Sequence, residues 1–300
     1  MSTHTVDTGE VDLDLTLAPF AMLSRDPTLR LSPGRFQRAT HTPEGPGVVD
    51  VSWQRGRPEA RVTTDGPGGA WLAERAPGML GLRDDPAGFA PAEDPVRDLW
   101  RRHRGDRVPA TGTLWHDLAW FVLQQRVTRA EAAVQWYRFV RGLGTPAPGA
   151  DGLMVPPSPT AVARLGYEQL HRFGIERRRA EHLVAGARCV HHWERAGTPL
   201  EREATVAALL RVRGVGPWTT ACLEAFTWGH ADIVITGDAG IPSMVAWLLA
   251  GERRADDARM LQLLEPFRPH RYRVVRLVLA AGTRPPRRGP RVPRTGIRGR

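Results

Sequence analysis

The sequence predicts an α+β protein, in which a small antiparallel sheet domain with one helix is followed by an all-helical bundle. Two observations predict this division. Residues 11–81 carry short alternating apolar runs separated by turn residues, and from Asp94 onward apolar residues recur at helical spacing. The predicted boundaries are 1–10 disordered, 11–93 sheet domain, 94–282 helical bundle and 283–300 disordered tail. With 300 residues, 41% of them hydrophobic, both parts can bury a core.

Three runs with period-two alternation predict strands in the first part: VDLDLTL, GVVDVSW and ARVTT. The turn-rich segment HTPEGPG separates residues 36–39 from residues 48–53 and therefore predicts a hairpin. A helix is expected at residues 70–76. Together these elements make a small antiparallel sheet covered by one helix.

About eight short helices are predicted in the second part. Ser158 followed by Pro159 marks a helix start, and Phe173-Gly174 marks a stop. A Pro-rich loop is expected at 145–159. The other helices are predicted at 114–122, 133–140, 180–190, near 209, at 217–228 and 241–250, with two more ending near Gly282.

Composition excludes several kinds of chemistry. All 42 basic residues are arginine, so a lysine Schiff base and a P-loop lysine are impossible. Cys189 and Cys222 are the only cysteines, too few for an iron–sulfur cluster. No apolar run is long enough to span a membrane, and the polar, acidic start lacks a secretory signal, so a cytoplasmic protein is expected. The tail 283–300 holds seven arginines and no acid, which suits non-specific contact with polyanions.

The stretch LLRVRGVGPWTTACLEAF, residues 209–226, is the most informative in the chain. Two predicted helices are joined by Gly214-Val215-Gly216, and the second helix opens with Pro217. Glycines would let the exposed backbone N–H groups approach a phosphate closely. Such a turn could bind the nucleic-acid backbone whatever the base sequence. An ordinary Gly-rich turn between helices is the alternative interpretation.

Asp238 follows Gly216 by twenty-two residues and stands where a helix is expected to begin. An isolated Asp in that place would be interpreted as a helix cap. The pattern G-V-G-P-W-T followed at this distance by G-D resembles the helix-hairpin-helix DNA glycosylase superfamily, whose Asp in this place is catalytic. Residues 94–282 resemble its whole helical region, including Leu123-Gln124-Gln125 and the segment 173–180. Residues 11–81 are similar to the N-terminal domain of the 3-methyladenine DNA glycosylase II branch.

The resemblance implies a set of site residues. It implies Asp238 as the catalytic carboxylate and a monovalent cation on the carbonyls of residues 211–216, with no other cofactor. Trp218 stands where lyase members carry Lys, which favours the alkylated-base branch. Arg213 replaces the usual Pro, Arg126 replaces an apolar wedge, and Cys222 and Leu279 stand where that branch has aromatic residues. The base pocket is expected at Trp218, Cys222 and Leu279, and the DNA contacts at Gln125, Arg126, Arg213, Gly214, Val215, Gly216 and Thr219.

The function implied is a monofunctional DNA glycosylase in base excision repair, monomeric, nucleoid-associated and acting on double-stranded DNA. It would flip a damaged base, an alkylated purine, into the pocket and hydrolyse its N-glycosidic bond. Two alternatives stay open: a non-catalytic helix-hairpin-helix DNA-binding protein, and a glycosylase for deaminated or oxidised bases. Five further aromatic residues could contribute to the pocket, but their spacing favours the core: Phe20, Trp53, Trp115, Trp136 and Trp228.

Overall fold

The computed structural model describes residues 1–21, 25–92, 94–197 and 201–286, and it confirms the predicted α+β class. Five strands form one antiparallel sheet in the order β1-β5-β4-β3-β2. The strands are β1 (Ser2–Asp7), β2 (Leu29–Ser32), β3 (Arg35–Thr42), β4 (Gly45–Trp53) and β5 (Glu59–Asp65). The predicted hairpin is therefore the β3–β4 pair.

Helix α2 (Gly69–Met79) covers this sheet, as predicted, and buries Leu72 against Phe36, Val49 and Val62. The strand predicted from VDLDLTL is wrong, because its centre forms helix α1 (Leu13–Leu17), which continues into a 3-10 helix (Ala18–Ala21). Asp12 caps α1 by accepting the Leu15 N–H at 3.1 Å. The segment fits both periods, and burial of its apolar face decides in favour of the helix.

The predicted disorder of residues 1–10 is also wrong, since residues 2–7 form strand β1. This strand pairs along its whole length with β5, from Ser2 opposite Thr64 to Asp7 opposite Glu59. Polar composition is typical of disorder, but an edge strand needs only backbone partners and can leave its side chains in water. Val6 is the one side chain of β1 that packs against the core beneath the sheet.

The second part is helical, as predicted, but has eleven helices within the described ranges instead of about eight. Several are single turns too short for periodicity to reveal. They are α3 (Val96–Arg102), α4 (Leu114–Gln124), α5 (Arg129–Leu143), α6 (Pro159–Val162), α7 (Tyr167–His171), α8 (Arg177–Ala196), α9 (Arg202–Leu209), α10 (Pro217–Phe226), α11 (Ile241–Ala250), α12 (Asp257–Leu264) and α13 (Arg271–Ala281). The predicted loop at 145–159 contains one short ladder, β6 (Thr145–Pro146) with β7 (Met154–Val155).

Of the predicted tail, residues 287–300 lie outside the described residues. In the described ranges, no helix is long and apolar enough to cross a membrane.

The aromatic residues assigned to the core are largely buried there. Phe20, Trp115 and Trp136 are each less than one tenth exposed, while Trp53 and Trp228 are half-buried against a core. The buried indoles have hydrogen-bond acceptors, since Trp115 donates to the Pro157 carbonyl at 2.8 Å and Trp136 donates to Asp26 at 3.0 Å. These side chains therefore serve packing.

Among the residues that the structure describes, three buried ion pairs fix the helices, two of them to segments that precede the helical part and one to the loop between α3 and α4. Arg38 of β3 donates to Asp117 of α4 at 2.8 Å, and Arg273 of α13 makes two 2.8 Å bonds to Asp84. Arg276 pairs in the same way with Asp106. The Arg38–Asp117 pair sets α4 against the sheet, and the carboxyl end of α4 leads into the site described next.

Candidate active site

A tight hairpin, residues 210–216, joins α9 to α10. Gly214 has φ +86°, and a Cβ there would lie 2.0 Å from the imidazole of His182. Val215 is buried and donates its N–H to the Val212 carbonyl at 3.0 Å. Gly216 then stands at the N-cap of α10, followed by Pro217 in the first turn. The structure thus places the glycines where the sequence predicted them, with the α10 N-terminus at the end of the hairpin.

Gly214→Ala is expected to lower the free energy of unfolding by about 1–3 kcal/mol, the cost of a strained left-handed residue. The added methyl group would also displace the His182 ring. Gly216→Ala is the matched control, because φ is −110° there and a Cβ would meet nothing within 4 Å. Urea denaturation of both variants checks this. Equal midpoints for the two variants would contradict it.

Gln125 lies behind the hairpin and uses its whole amide there. Its Nε2 donates to the Gly214 carbonyl at 2.8 Å and to the Thr219 hydroxyl at 3.0 Å, and its Oε1 lies 3.0 Å from Nδ1 of His182. Burial lowers the pKa of His182, and Arg178 and Arg213 lower it further. A neutral imidazole can donate to Gln125 through Nδ1. These contacts make Gln125 a support for the hairpin, whereas the sequence analysis had counted it among the residues that contact DNA.

Arg126 is the exposed residue at this turn. It follows α4 and has φ +60°, the only positive φ of a non-glycine residue in the described ranges. Thr128 starts α5 directly afterwards by accepting the Glu131 N–H at 3.2 Å. The left-handed backbone projects one long cationic side chain from the tight link between the two helices. Such strained positions cluster at functional sites.

Asp238 lies between Gly237, at φ +77°, and the start of α11. Its Oδ1 accepts the N–H groups of Gly240 at 2.8 Å and Ile241 at 2.9 Å, so the predicted capping contacts are present. Its Oδ2 lies 3.4 Å from the indole N–H of Trp218. The carboxylate is therefore held by one oxygen, while the other faces the indole at the beginning of α10.

The predicted pocket residues differ in burial. Trp218 is half-buried and meets Phe121 edge-on, with ring centroids 6.1 Å apart. Cys222 is buried, and burial raises the pKa of its thiol, with a further increase from the nearby Asp238 carboxylate. Leu279, by contrast, is 42% exposed near the end of α13. Trp218 and Cys222 thus gather around Asp238.

Tyr272 is a buried residue of α13 that the sequence analysis missed. Its phenol lies within electrostatic range of the Cys222 thiol, and burial is the main cause of its raised pKa. Asp238 and Tyr272 are thus both close enough to Cys222 to interact with it electrostatically. Nothing local in the sequence distinguishes Tyr272, since it comes near the site only through the tertiary packing of α13, which contacts α11 and α3.

The remaining hairpin residues take up different positions. Thr219 is buried, and its hydroxyl accepts a hydrogen bond from the Gln125 amide. Arg213 is exposed, and its Nη2 lies 3.3 Å from the Glu181 carboxylate. A monovalent cation needs carbonyl oxygen donors. The Val212 and Gly214 carbonyls already accept hydrogen bonds, but those of Arg211, Arg213 and Val215 accept none from the described part of the chain. The donor chemistry therefore fits the implied cation.

Two of three comparisons with known proteins find similar ones. No family model matches the chain. A Bacillus subtilis protein named "Putative DNA-3-methyladenine glycosylase YfjP" is 22% identical over 150 residues, covering 49% of this chain and 51% of that protein, so the match spans about half of the relative.

Two solved structures match nearly the whole chain. The 3-methyladenine DNA glycosylase from Archaeoglobus fulgidus is 17% identical with a TM-score of 0.76, covering 92% of this chain and 97% of its own. A Clostridium acetobutylicum 8-oxoguanine glycosylase/lyase in complex with DNA is 12% identical with a TM-score of 0.67, covering 94% and 97%. The chain therefore has the fold of the helix-hairpin-helix DNA glycosylases, and the resemblance seen in its sequence is confirmed.

Proposed function

We propose that this protein is a DNA glycosylase that hydrolyses the N-glycosidic bond of alkylated purines in double-stranded DNA, as the first step of base excision repair. One observation carries the proposal. Asp238 is held by two backbone N–H groups through Oδ1, and its Oδ2 faces Trp218 at the end of a glycine hairpin. A fixed carboxylate thus lies beside a surface suited to hold a DNA phosphate.

The carboxylate is suited to the charge that develops in this reaction. As the bond to the base breaks, positive charge builds on the sugar, and a nearby fixed anion stabilises that transition state. In the proposed complex, Oδ2 of Asp238 faces C1′ and orients the attacking water. An alkylated purine is cationic and leaves readily, so a strong general acid is not required.

Access to the bond requires that the nucleotide leave the duplex, at a cost of a few kcal/mol for unstacking. Arg126 is the residue proposed to enter the gap, because its side chain is exposed and its left-handed backbone holds it at the turn after α4. The hairpin, supported by Gln125, would hold the phosphate near the lesion. A cation on the hairpin carbonyls would add positive potential there.

The pocket is proposed to select cationic bases. The half-buried indole of Trp218 offers a π face to the extruded base, and a positively charged purine is attracted to such a face. Cys222 and Tyr272 would form the floor of the pocket behind Asp238. Since the chain has no lysine, and Trp218 stands where lyase members have Lys, the proposed enzyme leaves an abasic site without cutting the strand.

The test is base release from methylated duplex DNA, with deaminated and oxidised duplexes in parallel. We expect free 3-methyladenine or 7-methylguanine, and strands that break only after alkali treatment. Strand cleavage without alkali would overturn the monofunctional assignment. Release from only an oxidised or deaminated duplex would favour the second kind of glycosylase.

One observation favours a different class of function. The capping contacts of Asp238 account for its Oδ1 without any catalysis, as expected in a non-catalytic helix-hairpin-helix DNA-binding protein. Such a protein would bind duplex DNA and release no base from any of the tested substrates.

A further inference from the structure

A groove of about 670 Å³ opens beside the hairpin. One wall is the beginning of α8, with residues 176–178 and 181–182, and the other wall is formed by Arg213 and Gly214. The groove therefore begins at the glycine whose carbonyl is bound by Gln125, and it runs along α8. The mechanism proposed above uses the hairpin wall of this groove and leaves the wall formed by α8 without a role.

The arginines at the start of α8 divide into two kinds. Arg179 is buried and points inward, donating to the Leu123 carbonyl at 2.9 Å and to Gln135. Arg177 and Arg178 are exposed and line the groove. The third arginine of the run therefore serves the core, whereas the first two lie at the surface, with Arg177 over the ring of Tyr167.

The carboxylates in the groove are engaged with other arginines. Glu181 lies 3.3 Å from Arg213, and Glu176 lies 4.0 Å from the buried Arg179. Within the ranges that the structure covers, no carboxylate lies within ion-pair distance of Arg177 or Arg178. Two guanidinium groups therefore face the groove without a counterion from the protein.

We propose that this groove binds the phosphodiester backbone of duplex DNA next to the phosphate held by the hairpin. The proposal rests on the proposed action on DNA and adds a second backbone site to it. Guanidinium groups suit phosphate oxygens, which they can bind in a bidentate manner. Arg213 belongs to the same site, because it is exposed and lies across the groove from α8.

A backbone phosphate fits this groove better than a base. The ring of Tyr167 is covered by the guanidinium of Arg177 at 4.4 Å from the ring centroid, and the imidazole of His182 in the groove wall is largely buried. These two rings are therefore poorly placed to stack on a base, whereas the arginines of the walls are exposed. When a phosphate arrives, Arg213 would exchange its solvent-exposed pairing with Glu181 for the phosphate.

The first test measures binding of a fluorescein-labelled, undamaged duplex by anisotropy across a potassium chloride series. Each phosphate contact contributes about 0.9 to the slope of log K against log salt, so the double variant Arg177→Ala/Arg178→Ala should reduce the slope by about 1.8. Arg195→Ala is the matched control, an exposed arginine at the far end of the same helix. A slope change no larger than that of the control overturns the proposal.

Glu181→Gln tests the exchange of partners in the opposite direction. Losing the carboxylate should tighten DNA binding about two- to fivefold at low salt, the range expected for an exposed ion pair. Unchanged or weaker DNA binding would show that Arg213 does not leave Glu181 for a phosphate. Thermal melts of all variants confirm that they are folded.

Base release measured on the same preparations separates the two proposals. If the wild-type protein releases no base but the double variant shows the smaller salt slope, the groove proposal stands and the proposed enzyme activity is wrong. If the wild-type protein releases base but the double variant has an unchanged salt slope, only the groove proposal is wrong.

Discussion

Asp238→Asn is expected to lower the rate of base release by about 10²–10³-fold, the range found when one preorganised electrostatic group is removed from an active site. An amide has almost the same shape as the carboxylate, and its oxygen can still accept the N–H groups of Gly240 and Ile241. Asn is also a good helix cap. The substitution therefore removes the negative charge that is proposed to act at C1′ and keeps the cap of α11. Single-turnover release from methylated duplex DNA measures the effect.

The control for this variant is Asp256→Asn. Asp256 caps α12 in the same way, accepting the Arg259 N–H at 2.9 Å, and it is exposed. We expect this variant to retain wild-type base release. DNA affinity should be unchanged or tighter in Asp238→Asn, because a negative charge is lost beside the DNA. Wild-type rates in Asp238→Asn would mean that the carboxylate serves only as a cap, which is the DNA-binding alternative.

The second large effect concerns stability. Asp84→Ala is expected to lower the free energy of unfolding by about 3–5 kcal/mol, because it leaves a buried guanidinium without its counterion. The Arg273 and Asp84 side chains are 1% and 3% exposed and joined by two 2.8 Å bonds. Asp84 also accepts the Val108 N–H at 3.0 Å. Guanidinium chloride denaturation gives the change in stability.

Asp50→Asn is the matched comparison for the buried pair. Asp50 also makes a two-pronged contact with an arginine, Arg35, but their side chains are 25% and 54% exposed. Solvent screens such a pair, so its loss should cost at most about 1 kcal/mol. Similar losses in both variants would show that burial does not set the energy of these ion pairs.

Local signals explain why much of the site could be predicted from sequence. Gly214 and Pro217 indicate the hairpin in the sequence. Glycine readily adopts the positive φ found at residue 214, and proline is favoured in the first turn of a helix, where Pro217 lies. The capping contacts of Asp238 span only two and three residues. The order of strands and helices is similarly visible in short apolar periods. Resemblance to a known family then connected the hairpin with Asp238.

The errors arose where short segments depend on distant partners. Strand β1 is polar and is held by β5, some sixty residues away. Residues 13–17 fit both periods, and burial against the sheet made them a helix. In each case the local pattern was ambiguous or uninformative, and contacts remote in sequence supplied the free energy that decided the outcome.

The sequence by itself determined the α+β class and the glycine hairpin, and it singled out Asp238 as the candidate carboxylate. Only the tertiary structure decided that Gln125 supports the hairpin, that Tyr272 comes within electrostatic range of Cys222, and that Arg177 and Arg178 face a groove. The physical reason is range. Backbone conformation and capping depend on a few neighbouring residues, whereas the partners of Gln125 are 57 to 94 positions away and meet it only after the helices have packed.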